Sequence, residues 1–307
     1  MGLLDDKVAI VTGAGRGIGR EHALLLAKEG AAVMINDLGG DGRGDGHDLT
    51  PAEHVAEEVR AFGGRAAVNG ANVADWKAAE GLIAQTVETF GRLDILINNA
   101  GILRDRMMFN MSEEEWDVVV GVVLKGSFAP ARFAAAHWRE QNKKTGKPIG
   151  GCIVNTSSES GLYGNLGQAN YAAAKMALAA LSLVEARELQ RAGIRVNTIA
   201  PTAATRLLGT VMADREAPPP GQHDPLAPSE ISPLVVWLCS DHAKDVSGQV
   251  FAVSGQRIQL VRGFHPVTQI DADGQSWTVD RIEGLKGTLF GGRDTAIPAF
   301  LPPLDTT

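Results

Sequence analysis

Cysteine is nearly absent from this chain: 307 residues hold two, Cys152 and Cys239, both in apolar segments and far apart in sequence. That scarcity excludes a disulfide-built scaffold and a cysteine metal centre. The pair reads as buried small hydrophobes in a reducing compartment. Blocks of basic charge are missing as well. Lys and Arg number 29 against 36 Asp and Glu, a net charge of −7, which argues against a nucleic-acid partner. No apolar run approaches the ~20 residues of a membrane span. The start, Met1-Gly-Leu-Leu-Asp-Asp-Lys7, lacks the basic and apolar regions of a secretion signal, and the end, Leu304-Asp-Thr-Thr307, is not a peroxisomal address. A cytoplasmic protein without a membrane partner is expected. His47 and His54 have no partner at metal-binding spacing, so no metal site is expected either.

What the chain does have is an alternation of short apolar runs with helical patterns. Lys7-Val-Ala-Ile-Val-Thr12 is nearly all apolar, as a parallel strand buried on both faces must be. Gly13-Ala-Gly-Arg-Gly-Ile-Gly19 follows, then a helix from Arg20 to Glu29 with Gly30 at its end. Strand, glycine turn, helix is the context in which such glycines let backbone N–H groups approach a pyrophosphate. A merely tight turn is the plainer reading, and the three-part context outweighs it. The second strand, Ala31 to Asp37, ends on a carboxylate 18 residues past Gly19, where a dinucleotide-binding unit places the acid for the ribose hydroxyls. Asp37 would repel a 2′-phosphate, whereas Arg16 could pair with one. The direct contact of the acid decides for NAD.

Gly39 to Thr50 is glycine- and charge-rich and reads as a mobile surface loop without calcium-loop spacing. A helix from Pro51 to about Phe62 and a strand from Arg65 to Val73 come next, with Asn72 placed to bond an adenine edge beside Val73. After a helix from about Asp75 to Phe90, the strand Leu93–Asn98 runs into Asn99-Ala100-Gly101, small enough for a cofactor to pass close by. The two Asn side chains can tie neighbouring strands. Glu113 to Ala136 is one long helix or two, and Lys143–Lys147 an exposed basic turn. Later strands run from Ile194 to Ala200, closed by Pro201-Thr202, and from Gly248 to Val253, with an apolar helix from Ile231 to Cys239 between them. The expected fold is therefore α/β, a Rossmann-type doubly wound parallel sheet of about seven strands. One domain spans residues 1–255. Residues 256–307 form an extension, with a hairpin turning at Asp273-Gly274, that packs on the same or a neighbouring subunit.

The chemistry concentrates between Ser158 and Lys175. An apolar strand, Cys152-Ile-Val154, leads to Ser158, and Tyr171 opens an Ala/Leu-rich helix on which Lys175, four residues on, shares its face. An ammonium beside a phenol favours the phenolate, so Tyr171 can exchange a proton with an alcohol or carbonyl. Ser158 can hold the same oxygen. An isolated Tyr-x-x-x-Lys is more often a helix aromatic beside a solvated charge. The glycine turn upstream reverses that weighting.

Thr12-Gly13-x-x-x-Gly17-x-Gly19, Asn98-Asn-Ala-Gly101 and Ser158 with Tyr171-x-x-x-Lys175 together resemble the short-chain dehydrogenase/reductase family over residues 5 to about 255. The resemblance implies hydride transfer at nicotinamide, Tyr171 as acid/base, Ser158 orienting the substrate oxygen, and Lys175 on the nicotinamide ribose. Gly13, Arg16, Gly17, Ile18 and Gly19 would line the dinucleotide with Asp37, Asn72, Val73, Asn99, Ala100, Gly101, Pro201 and Thr202. Within the family, Asn36-Asp-Leu-Gly-Gly-Asp41, Asn98 to Asp105 and Tyr163 to Tyr171 are similar to the dehydrogenase unit of peroxisomal type 2 multifunctional enzymes. That likeness implies (3R)-hydroxyacyl-CoA or 17β-hydroxysteroid substrates and a homodimer or homotetramer. Two positions depart from the family. Val123 stands where an Asn holds a relay water, and Thr202 follows Pro201 where Gly is usual; Thr202 can still offer backbone groups to the carboxamide. Residues 203–223 read as a substrate lid; no basic cluster there clearly suits a CoA phosphate, and Arg206 and Arg215 are candidates for one against the plainer reading of each as solvated surface. A small cyclic or terpenoid alcohol stays open as the substrate, and so does a non-catalytic, redox-sensing dinucleotide binder.

Overall fold

The computed structural model describes residues 2–205, 218–219, 222–293, 296–297 and 300. Its first unit, Met1–Val261, is built on one eight-stranded sheet. The strands are β1 (Val8–Thr12), β2 (Ala32–Asn36), β3 (Arg65–Asn69), β4 (Ile95–Asn98), β5 (Cys152–Thr156), β6 (Arg195–Pro201), β7 (Val250–Ser254) and β8 (Arg257–Val261). Their order across the sheet is β3-β2-β1-β4-β5-β6-β7-β8, and every pairing is parallel except the last. The chain thus reverses its winding at β1, with β2 on one side and β4 on the other.

Successive strand residues face opposite ways, and here each face has its own core. Ala9, Val11, Val33, Ile35, Ile97 and Val154 pack beneath α1 (Gly17–Lys28), α2 (Thr50–Ala61) and α8 (Ser232–Cys239). Ile10, Met34, Leu96, Ile153 and Val196 pack beneath α3 (Trp76–Phe90) and α5 (Gly126–Thr145). Trp138 of α5 is fully buried and its indole N–H donates to Leu93 O at 2.7 Å, which fixes that helix against the sheet. On the opposite layer, His22 of α1 is also fully buried, with Nδ1 2.8 Å from the Ser232 hydroxyl of α8.

Burial pushes His22 down to about 3. An unfolded histidine near 6.5 binds a proton that the folded one refuses, so stability is lost as pH falls below 6.5 toward 3. Urea titrations should show unfolding free energy dropping by about 3 kcal/mol between pH 7 and pH 4 from this residue. His22→Gln should flatten that slope; an unchanged slope would assign the acid sensitivity elsewhere.

Several boundaries differ from the sequence reading. β3 stops at Asn69, so Asn72 lies in the turn after it, where its Oδ1 accepts from Ala74 N at 3.0 Å. The 113–136 helix is α4 (Glu113–Val120), a π-helical turn (Gly121–Lys125), then α5, which runs on to Thr145. Lys143 and Lys144 are consequently the last turn of a helix, where cations suit the dipole. The combined run Glu113–Thr145 is long and apolar enough to cross a membrane by length and composition, contrary to the expectation from the sequence. Half of its most apolar stretch is buried inside the structure. Cys152 and Cys239 are buried free thiols that β5 and α8 bring near each other, and the Cys152 thiol donates to Leu238 O at 3.5 Å. β8 is an additional edge strand, antiparallel to β7.

The second unit, Arg262–Thr307, contains no strand among its described residues, so the expected hairpin is absent. Its turn is present: Asp273 and Gly274 have φ of 48° and 73°. The turn leads into a helix, α9 (Val279–Phe290), whose first turn is capped by the Thr278 side chain accepting from Arg281 N.

Candidate active site

The ends of β1, β4, β5 and β6 open on one crevice at the point where the winding reverses, the place where open α/β sheets bind ligands. The glycine turn needs its glycines. A Cβ on Gly13 (φ +64°) would stand 2.8 Å from Ala100 Cα, and one on Gly19 would stand 2.2 Å from Gly13 O. Asn99 binds the turn from the other rim, its Nδ2 donating to Thr12 O (3.0 Å) and Gly13 O (3.2 Å). The Thr12 hydroxyl accepts from Asn99 N and Ala100 N at 3.0 and 3.1 Å. Asp37 is equally fixed: Gly15 N donates to its Oδ2 and Gly39 N to its Oδ1, each at 2.7 Å. Each carboxylate oxygen retains acceptor capacity for a sugar hydroxyl.

Of the other expected cofactor contacts, Arg16 precedes α1 at its N-terminus, Ile18 packs on the first core and Val73 is buried. Pro201 ends β6. Thr202 offers less than its sequence position promises. Its N–H donates to Val253 O at 2.9 Å and its hydroxyl to Glu159 Oε2 at 2.6 Å, so of its backbone groups only the carbonyl remains. Most of the 203–223 segment, with Arg206 and Arg215, lies outside the described residues.

Ser158 caps the short helix α6 (Glu159–Tyr163), its hydroxyl accepting from Ser160 N at 3.1 Å. The long helix α7 (Ala169–Leu189) carries Tyr171 and Lys175 on one face. The Ser158 hydroxyl stands near enough to the Tyr171 phenol to favour its charged form. Lys175 is buried with Nζ 5.5 Å from the Tyr171 ring centre, and that ammonium donates to Thr156 O at 2.6 Å. The three side chains meet.

Their electrostatics differ from the simple expectation. Burial pushes the phenol of Tyr171 up to about 12, a rise opposed by the Ser158 hydroxyl and reinforced by Asp105. Burial also pushes Lys175 down to about 7. A lysine that loses its own charge to desolvation cannot hold its neighbour's pKa low. The Tyr171–Lys175 adjacency is legible in the sequence; the burial that dominates it is not.

Sequence reasoning missed the layer that fixes Tyr171. Asn170 accepts from Tyr171 N at 2.7 Å, and its Nδ2 donates to Arg104 O (3.1 Å) and Glu115 O (2.8 Å). Gln168 Nε2 donates to Asp105 Oδ2 at 2.9 Å. Behind Lys175, Asn155 accepts from Asn98 Nδ2 and donates to Ser182 and Glu185, each at 2.8 Å. Burial raises Glu185 to about 7. Val123, in the π turn, packs in a small apolar cluster with Ile102, Ala174 and Leu178, and its carbonyl accepts from the Ser127 hydroxyl at 2.8 Å.

The sequence pattern of the short chain dehydrogenase family matches residues 7–216. The chain is 43% identical over 296 residues to hydroxyacyl-CoA dehydrogenase ChsB1 of Mycobacterium tuberculosis, covering 95% of this chain and 90% of that protein. It is 42% identical over 258 residues to peroxisomal multifunctional enzyme type 2 of Mus musculus, covering 84% of this chain but only 33% of that longer protein. A crystal structure of a short chain dehydrogenase from Mycobacterium avium superposes with a TM-score of 0.85 at 47% identity, covering 98% of this chain and all of that one.

Proposed function

The chain belongs to the short-chain dehydrogenase/reductase family, and from that premise we propose that it oxidises the hydroxyl of a (3R)-hydroxyacyl-CoA to a ketone with NAD as hydride acceptor. The observation that carries the reading is the meeting of Ser158, Tyr171 and Lys175 at the crevice beside the glycine turn. The family uses nicotinamide dinucleotides, and the residues here suit one. Asp37 is aimed by two backbone N–H groups, no described residue stands nearer than 3.6 Å to a Cβ on Gly17 (φ +55°), and Gly101 lies 3.7 Å from Lys175 Nζ by the same measure. A bound dinucleotide supplies the hydride acceptor, while the chain's own groups manage the proton. The Ser158 hydroxyl orients the substrate oxygen and the Tyr171 phenolate takes its proton as hydride leaves the carbinol carbon. Because burial holds the phenol high, oxidation runs faster as pH rises. The exposed side chains of Met107, Met108, Phe109 and Leu166 lie on the two segments bridged at Arg106 and Gln168, next to Tyr171, which suits an apolar substrate.

The test is absorbance at 340 nm with NAD and NADP separately, on a (3R)-hydroxyacyl-CoA and on 17β-estradiol. Faster NADH formation on the thioester supports the reading. Activity on the steroid alone moves it to ring-hydroxyl oxidation, and turnover of neither sends it to a small cyclic alcohol. Asp37→Ser should lower kcat/KM with NAD about tenfold to a hundredfold and raise it with NADP, since the ribose acceptor and the repelling charge go together. NAD preference surviving that change would place discrimination elsewhere.

A homodimer or homotetramer fits the same reading. Trp116 of α4, Phe128 of α5, and Leu183 and Val184 of α7 leave large apolar surface exposed. Sedimentation of a monomer at micromolar concentration would overturn that assignment.

A further inference from the structure

The proposed reaction makes no use of the segment between Asp37 and α2, yet this segment is not a free loop. Its two ends are pinched together: a Cβ on Gly39 (φ +81°) would stand 1.8 Å from Asp48 O. Between them the chain folds on itself. Asp41 N donates to Asp45 O at 2.8 Å, and Asp41 Oδ1 accepts from Arg43 N (2.8 Å) and Asp45 N (3.0 Å). The result is a preformed tongue of the kind that packs on its own backbone.

The tongue is fastened at both ends of its reach. At the base, Gly39 N holds the Asp37 carboxylate, the group assigned to the ribose. At the tip it meets the residues just after Asn99-Ala100-Gly101. Leu103 N donates to Gly42 O at 3.1 Å, Gly44 lies against Ile102, and Arg104 Nη2 pairs with Asp45 Oδ1 at 2.8 Å. The Arg104 side chain is only 15% exposed and its Nε is buried without a partner among the described residues, so the guanidinium draws its countercharge from the tongue: Asp45 pairs with it directly, and Asp41 acts on it from nearby. Sheet order makes this fastening consequential. β2, which leads into the tongue, and β4, which leads into Arg104, flank β1 and its glycine turn. The tongue therefore joins the two rims of the crevice.

We propose that residues 39–48 form a latch on the adenosine half of the bound dinucleotide, with the Arg104–Asp45 pair as its catch. Arg104 is then a positioning residue for cofactor retention, acting through Asp45. This rests on the dinucleotide reading above. Opening the pair frees the tip while Asp37 and the glycine turn stay in place, so the effect falls on the rate of release. Arg104 also joins the latch to the catalytic helix, since its carbonyl accepts from Asn170 beside Tyr171.

The measurement is NADH dissociation by stopped-flow fluorescence, on wild type, Asp45→Asn, Arg104→Met, the double variant and the charge exchange Asp45→Arg with Arg104→Asp. Either single variant should release NADH about 5- to 20-fold faster, the double variant no faster than the singles, and the exchange should recover most of the loss. A residue of merely structural importance would shift thermal unfolding of the cofactor-free protein without that recovery. Wild-type protein that binds NADH, with single variants that release it within twofold of the wild-type rate, would overturn the latch alone. Wild-type protein that binds no NADH would overturn the functional reading and the latch with it.

Discussion

Tyr171→Phe should yield a folded protein that binds NADH within about threefold of wild type but oxidises its alcohol at least ~10³-fold more slowly. The substitution deletes one oxygen from a half-buried side chain whose backbone is fixed independently: its N–H donates to Asn170 Oδ1, and α7 continues for eighteen residues beyond it. The ring stays and the fold with it. What goes is the proposed acceptor of the substrate proton and the phenol's interaction with Ser158. General acid–base groups contribute about 10²–10⁴-fold, and loss of a shared hydrogen bond with the substrate oxygen adds to it. Dinucleotide binding measured by fluorescence beside steady-state rates separates the two effects. Residual turnover within tenfold of wild type would transfer the proton to another group, and Ser158 would be examined first.

Lys175→Met should be nearly inactive and yet more stable. Burial holds this lysine at about 7 against an ordinary 10.5, so near neutral pH the unfolded chain binds a proton that the folded chain resists. That difference corresponds to about 5 kcal/mol against the native state. Methionine removes it and fills similar space, at a cost of about 1–3 kcal/mol for leaving the Thr156 carbonyl without its donor. The net expectation is a gain of about 2–4 kcal/mol at pH 7. The sign fixes the window: the penalty is full below pH 7, shrinks as pH rises, and is gone above 10.5. The variant's advantage should take the same course in urea titrations at pH 7, 8.5 and 10. Activity should fall by about 10²-fold or more, through lost contact with the nicotinamide ribose. A variant less stable than wild type at pH 7 would mean that the lysine keeps its proton when folded.

How much of this is legible in the sequence depends on how local the determinant is. Asn99, Gly13 and Gly19 announce the crevice because a glycine turn between an apolar strand and a helix is a short-range pattern. Tyr171 and Lys175 meet because four residues of helix make about one turn. Asn72 falls outside its strand because β3 ends where Asn36 Nδ2 captures Asn69 Oδ1 at 2.8 Å, a cross-strand bond that no single segment reveals. The tail shows a conflict of local signals. Asp273-Gly274 turns as its composition demands, but Val279, Ile282, Leu285 and Leu289 recur at helical spacing behind a Thr278 cap, and that period prevails over the alternation a hairpin needs. Ile258 and Leu260 of β8 alternate as well, but both are exposed, and the sequence reading misses this edge strand because nothing among the described residues covers its apolar face. Thr202 loses its free N–H to Val253, and Lys175 its charge to burial, because both effects come from elements far away in the chain.

The place of β1 in the sheet bears on how the protein is made. Its partner β2 comes within a few tens of residues, but β4, which closes its other edge, begins only at Ile95. At ~5–20 residues per second of synthesis, the strand that carries the glycine turn waits several seconds with one edge unpaired. The proposed proton-handling groups come later still, since Ser158, Tyr171 and Lys175 arrive in the second half of the chain. A nascent chain can thus shape the half that carries the glycine turn well before its proposed proton-handling groups exist.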